Sequence, residues 1–245
     1  MGSYNQYQYT DLVNRESDLY AATKYQIILD FLAGRPNLKI LNAGCGSGEL
    51  SFLLAAAGHS VIGIDPAKEY ISLANERVPD KLRERCSFQV GSIETFTTDT
   101  AFDCVIATDV LEHIKNDAMA LEKLTTFLKP SGDIIITVPA LPVLFGVHDE
   151  LLGHFRRYTK TTLSDLIRSA QNVNIKKIRY FGFTLIPICY LYSKLLRKPY
   201  PVASDGKGHL AFIKKYILGG MLAFDASITM PLGTSLILWS AKKDV

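Results

Sequence analysis

Short apolar runs alternate with helix-like segments from Leu38 to Val138, and this alternation constrains the fold more than any other feature of the chain. Residues 38–43, 60–64, 102–107 and 133–138 read as strands, and 87–90 as a weaker one. Residues 49–57, 67–78 and 118–128 read as helices between them. Strand, helix, strand in that rhythm means crossover connections and a parallel sheet. The strands are almost wholly apolar rather than alternating, as expected of a sheet covered on both faces. Before this region, Leu19–Leu32 has helical spacing and stops at Gly34 and Pro36. Beyond Ala140 the rhythm loosens. A long loop leads to a helix at 159–170 and a strand at 174–183. Two helices follow at 185–196, interrupted by Pro187, and at 209–228, before a closing β-run at 233–241.

The first strand runs into Asn42-Ala43-Gly44-Cys45-Gly46-Ser47-Gly48 and then a helix. Glycine permits a sharp turn and lets a ligand approach the backbone, because no Cβ intervenes. Asp65 lies 21 positions after Gly44, at the end of the second strand, where a carboxylate can accept from two ribose hydroxyls. Pro66 follows, so Asp65 can also cap the next helix. Glycines at 44, 46 and 48 give the spacing GxGxG. A dinucleotide fingerprint needs its third glycine at position 49, which is Glu49. The pattern therefore disfavours an NAD-dependent oxidoreductase and favours a nucleoside ligand lacking a pyrophosphate.

These residues resemble the class I S-adenosylmethionine (SAM)-dependent methyltransferase family. Residues 41–48 look like its first motif, Val61-Ile62-Gly63-Ile64-Asp65 like its second, and 102–113 like the fourth-strand motif of its small-molecule branch. Leu128-Lys129-Pro130-Ser131-Gly132-Asp133 resembles the turn before its fifth strand. The resemblance implies a Rossmann-like, doubly wound sheet of seven strands whose last strand is antiparallel, with a helical insertion before it. It implies one domain over 1–245: an N-terminal helical lid (1–37), a SAM-binding core (38–183), an insertion or acceptor lid (184–232) and the last strand (233–245). It also implies SAM as cofactor and S-adenosyl-L-homocysteine as product. Contacts are then expected from Asn42, Ala43, Gly44, Cys45, Gly46 and Gly48 near the methionine part, and from Asp65 and Pro66 at the ribose. Ser92 and Ile93 fall where adenine is read, and Thr108 and Asp109 lie near the ammonium and the transferable methyl. Many relatives carry an acid where this chain has Ser92.

Transfer from an activated sulfonium chiefly needs alignment, and a base adds to it when the acceptor is a hydroxyl. His148, His154 and His113 are the candidate bases, since all three follow strands whose carboxyl ends border the ligand crevice. His148 ranks first, with Asp149 behind it. Asp149, Arg156, Arg157 and Tyr158 are candidate acceptor-binding residues, the arginines as clamps for a carboxylate or phosphate. Residues 148–159 are also similar to a loop in bacterial methyltransferases of surface-glycan and natural-product pathways. No metal is expected, because His148, Asp149 and His154 match no ligand spacing.

Nine Lys/Arg (176, 177, 179, 194, 197, 198, 207, 214, 215) face one acid, Asp205, between Ile175 and Lys215, so this stretch carries +8 and the remainder −5 of a net +3. The segment from Phe181 to Met230 is apolar, aromatic and basic at once. It suits a lid over the acceptor, a core-packing helix pair, or a surface resting on lipid head groups. The four cysteines show no paired or metal spacing, and the chain has neither a signal-peptide pattern nor a membrane-length apolar run. A cytoplasmic monomer or homodimer is expected, with peripheral membrane contact open and no nucleic-acid partner. The expected activity is methyl transfer to oxygen or nitrogen of a small organic, natural-product-like acceptor. The alternatives are a lipid- or glycan-linked acceptor at a membrane surface and a nucleotide-binding module without chemistry.

Overall fold

Seven strands form one sheet in the order β3-β2-β1-β4-β5-β7-β6. They are β1 (Lys39–Ala43), β2 (Ser60–Asp65), β3 (Cys86–Val90), β4 (Phe102–Thr108), β5 (Leu128–Pro139), β6 (Val173–Phe181) and β7 (Ser235–Lys242). The computed structural model describes residues 18–170, 173–200 and 209–243, without the side chains of 209–215. Pairing among β1 to β5 is parallel, and β7 runs antiparallel between β5 and β6. The closing strand inserts where it can satisfy β5, whose other edge already pairs β4.

Helices cover both faces, as the apolar strands require. On one face α1 (Leu19–Leu32) and α2 (Glu49–Ala56) place Tyr25, Ile28, Leu50 and Leu54 against Ile40, Ile106 and Ile135. On the other, α4 (Asp117–Thr126) and α6 (Lys160–Ser169) set Leu121, Leu124, Leu163 and Ile167 against Val105, Ile134 and Ile136. α3 (Lys68–Arg77) connects β2 to β3. Arg35 and Lys176 pair with the buried Asp133, tying the chain before β1 and strand β6 to β5. All four cysteines are free and buried.

The segment expected as a plain loop after β5 contains a turn of 3-10 helix (Pro142–Leu144) and the short helix α5 (Val147–Leu152). The helix expected over 185–196 is broken into α7 (Ile186–Tyr190) and a π-helical turn (Leu191–Leu196), which stops at Arg197 in the left-handed region. α8 (His209–Ser227) packs against α1. No helix among the described residues is long and apolar enough to cross a membrane.

Candidate active site

Parallel pairing brings the carboxyl ends of β1, β2, β4 and β5 to one edge, and most of the candidate residues lie there. The turn after β1 is built on left-handed glycines. Gly44 has φ +73°, and a Cβ on it would lie 2.3 Å from Val110 Cγ2. Gly48, at φ +96°, starts α2. The amides of this turn are bonded inward. Gly44 and Cys45 donate to the Ile64 carbonyl at 2.8 and 2.9 Å, and Gly48 donates to the Cys45 carbonyl. Gly46 N–H donates to Asp65 Oδ2 at 3.0 Å, and Ala67 N–H to Asp65 Oδ1 at 2.9 Å. Glu49 occupies the first turn of α2 and accepts from Ser47 Oγ and Arg77. A phosphate needs outward amides and a positive helix terminus. Here the amides of residues 44, 45, 46 and 48 are already bonded, and the carboxylates of Asp65 and Glu49 lie beside them, which suits hydroxyls and cations.

Asp65 is buried at the end of β2, and Gly91 N–H donates to its carbonyl, which brings the 91–93 turn alongside. In that turn Ser92 bonds locally to Thr95, and the Ile93 side chain lies in the core. Ile93 can therefore offer only its backbone to a ligand. Asn42, buried in β1, donates to Ser51 Oγ, while its Oδ1 has no partner among the described residues. Burial raises the Cys45 thiol, and the Asp65 charge raises it further, so the thiol stays protonated.

β4 ends at Thr108, and the next residue, Asp109, turns the chain with a φ of +53° while its N–H donates to the Thr137 carbonyl. Thr137 Oγ1 donates to Asp109 Oδ1 at 3.0 Å, and Lys24 of α1 pairs with Asp109 Oδ2. Lys24 is only 4% exposed. Sequence reading missed it, because a lysine in an amphipathic helix normally reads as solvated; its position near the middle of an apolar helix stripe was the available signal.

The loop after β5 arranges the remaining candidates differently from expectation. Asp149 is fully buried. Its Oδ2 accepts from Gly146 N–H, and its Oδ1 from Arg157 Nε at 2.7 Å and His154 Nδ1 at 2.9 Å. Burial would raise this carboxyl, but the bonds from His154 and Arg157 and the Arg157 charge hold it down to about 2. Asp149 thus hydrogen-bonds His154, whereas the sequence expectation set it behind His148. In the neutral ring, the ionised Asp149 selects the tautomer with the proton on Nδ1 and the lone pair on Nε2. That ring meets His113 edge to face, at 4.6 Å between centroids. Glu112, His113 and His154 each bring one potential ligand atom to within 4.8 Å of the others, a different trio from the one weighed in the sequence.

His148 instead stacks on Tyr200 at 4.3 Å, and burial lowers it to about 4, so it is neutral near pH 7. Arg157 is committed within the fold, donating to Asp149, the Ala140 carbonyl and Tyr200 Oη. Tyr158 is buried and donates to Asp117, and burial with that acceptor raises its hydroxyl. These bonds engage Asp149, Arg157 and Tyr158, three of the expected acceptor-binding residues, within the fold. Arg156 is part-exposed, bonded to Asp117 and the Lys115 carbonyl, and it is the one expected clamp left near solvent.

A family model described as a methyltransferase domain matches residues 35–180, more than half of the chain. The chain belongs to the class I SAM-dependent methyltransferase family. It is 38% identical over 110 residues to the mitochondrial ubiquinone biosynthesis O-methyltransferase of Rattus norvegicus, covering 42% of this chain and 32% of that protein. The chain thus matches about a third of the length of that relative. It is 29% identical over 160 residues to the ubiquinone biosynthesis O-methyltransferase of Rickettsia typhi, covering 60% of this chain and 65% of that one. A SAM-dependent methyltransferase from Mesorhizobium loti shares the fold with a TM-score of 0.63 at 16% identity, over 92% of this chain and 100% of the other.

The donor set fits the family's cofactor on its own terms. Each oxygen of a carboxylate accepts more than one bond, so Asp65 can hold its two amides and still meet ribose hydroxyls. The Lys24–Asp109 pair offers one charge of each sign, complementary to an α-carboxylate and an α-ammonium. The buried Asn42 Oδ1 is a further acceptor at the same edge.

Proposed function

We propose that this chain is a SAM-dependent methyltransferase that places a methyl group on an oxygen or nitrogen of a small organic acceptor, releasing S-adenosyl-L-homocysteine. One observation carries the cofactor half of this reading: the glycine turn has its amides bonded inward beside Asp65, an arrangement for a nucleoside without phosphate. Asp65 holds the ribose, Lys24 takes the methionine carboxylate, and Asp109 with Asn42 takes the ammonium. When bound, the cofactor supplies an already activated methyl group.

His154 is the base for the acceptor half, ahead of His113 and His148. Asp149 binds Nδ1 and so leaves Nε2 as the nitrogen that can receive an acceptor proton. The names of the two curated relatives support oxygen as the acceptor atom and a small molecule as the acceptor. α1 and the insertion of α7 and α8 close over the site as its lid.

The test is incubation of purified protein with methyl-labelled SAM and a host extract split into aqueous and lipid fractions. Label in the aqueous fraction supports a small soluble acceptor. Label in the lipid fraction supports the second reading, a lipid- or glycan-linked acceptor, which the apolar surface of the insertion favours. Calorimetry showing equal SAM affinity for wild type and Asp65→Ala refutes the cofactor assignment.

A further inference from the structure

α8 is apolar on its outer side as well as its inner one. Its inner side carries Leu222 and Asp225, both almost fully buried, with Leu218 and Ala226 packed beside the α1 core. Asp225 Oδ2 accepts from Thr184 N–H and Oγ1, and Arg179 donates to the carbonyls of Asp225 and Ile228. These bonds fix the inner side in place beside its apolar contacts. Its outer side presents Tyr216 (78% exposed), Ile217 (56%) and Phe224 (49%), continued by Ile228 and Leu232. From Tyr216 to Leu232 the only charged residue is the buried Asp225. A surface helix ordinarily turns charges outward, and a run of exposed large apolar groups marks an interaction surface.

A second exposed apolar stretch lies next to it. Ile188, Tyr190, Leu191, Leu195 and Leu196 on α7 and the π turn are exposed, with Lys194, Arg197 and Lys198 exposed among them. Both α7 and α8 contact the turn Phe183–Leu185, which follows the end of β6. β6 ends level with β5, since Phe181 and Pro139 both pair with Ser235. The exposed apolar segments thus leave the sheet at the edge that holds the site.

Charge decides between the occupants of such a surface. Among the described side chains of 183–200 and 216–232 the charged groups are Lys194, Arg197 and Lys198, all exposed, and one acid, the buried Asp225. A two-fold dimer through this surface sets that basic rim against itself, which like-charge repulsion opposes. An anionic lipid surface accepts both parts, apolar groups into the acyl boundary and lysines and arginines at the phosphates.

We infer that the α7–α8 insertion is a docking surface for anionic membranes, holding the site's edge against the lipid. This deepens the second reading of the proposed function by naming its partner. The test is co-sedimentation of the full chain with phosphatidylcholine vesicles and with mixed phosphatidylcholine–phosphatidylglycerol vesicles. Wild type is expected to pellet with the mixed vesicles and to be released by salt. Ile217→Ser/Phe224→Ser/Ile228→Ser should weaken that binding at least about 10-fold, and Arg197→Gln/Lys198→Gln should weaken it without changing the residual binding to neutral vesicles. These side chains are exposed, so circular dichroism and SAM affinity should match wild type. Absence of wild-type binding to the mixed vesicles overturns the inference. So does undiminished binding by the triple variant, or a wild-type dimer in analytical ultracentrifugation that the triple variant converts to monomer. SAM affinity is read separately, so failure here leaves the methyltransferase reading standing.

Discussion

Replacing Lys24 by Met tests whether the Lys24–Asp109 pair is a support of the fold or a receptor for the methionine end of the cofactor. Removing one partner of a fully buried pair costs about 3–5 kcal/mol. Asp109 keeps its bond from Thr137 Oγ1, and its side chain is 23% exposed, so solvent offsets part of that loss. The expected cost for Lys24→Met is therefore about 2–3 kcal/mol in urea unfolding of the cofactor-free protein. Lys24→Met/Asp109→Asn leaves no buried charge, and its stability should return to within about 1 kcal/mol of wild type. SAM affinity should behave differently. A hydrogen bond to a charged group is worth about 1.5–3 kcal/mol, so each single variant should bind SAM roughly 10- to 100-fold more weakly. The double variant should bind more weakly still, although its fold has recovered. If calorimetry shows affinity returning together with stability in the double variant, the pair serves the fold alone and its role in holding the zwitterion is refuted.

Acid should act through two buried groups in turn. Burial lowers His148 to about 4 against 6.5 when unfolded, so protons favour the unfolded chain, and stability complete above pH 6.5 should fall by about 3 kcal/mol towards pH 4. Asp149, held near 2, should add a further loss between about pH 4 and 2, and His148→Gln should abolish only the upper phase; a wild-type urea midpoint unchanged from pH 7 to 4.5 contradicts this. His154→Gln should slow label transfer by about 10²–10⁴-fold while leaving SAM affinity intact, and a matching fall in affinity would reassign His154 from base to binding residue. Gly44→Ala should cost at least about 1–2 kcal/mol for its left-handed backbone, and Val110→Ala should relieve only the additional clash; a neutral Gly44→Ala in urea unfolding removes the steric argument.

The parts of the molecule that were readable in the sequence are those set by neighbouring residues. Apolar runs identified β1 to β4 within a residue or two, because a strand buried on both faces leaves no room for polar positions. β5 begins earlier than expected, at Leu128, because Ser131 at φ +58° and a register shift between Phe102 and Cys104 let Leu128 pair before the β-branched run starts. α5 was missed because its six residues are too few to show a period. Its signals were the glycines at 146 and 153 bracketing Asp149 at the third helical position.

Adjacency misled the reading of the histidines for the same physical reason. His148 and Asp149 are neighbours in sequence, but successive residues on a helix do not face one another. α5 turns Asp149 inward to His154 and Arg157, past the end of the helix, and leaves His148 against Tyr200. The two halves of the site therefore differ in kind. Much of the cofactor half is main chain, glycine geometry and an acid at a strand end, which local sequence encodes. The acceptor half is side chains from the loop after β5 and from the insertion, brought together over separations of up to about fifty residues. On the proposed reading, acceptor identity is written between residues 140 and 232, the part of the chain without the alternating rhythm, and substitutions there should change the substrate while leaving SAM binding unaltered.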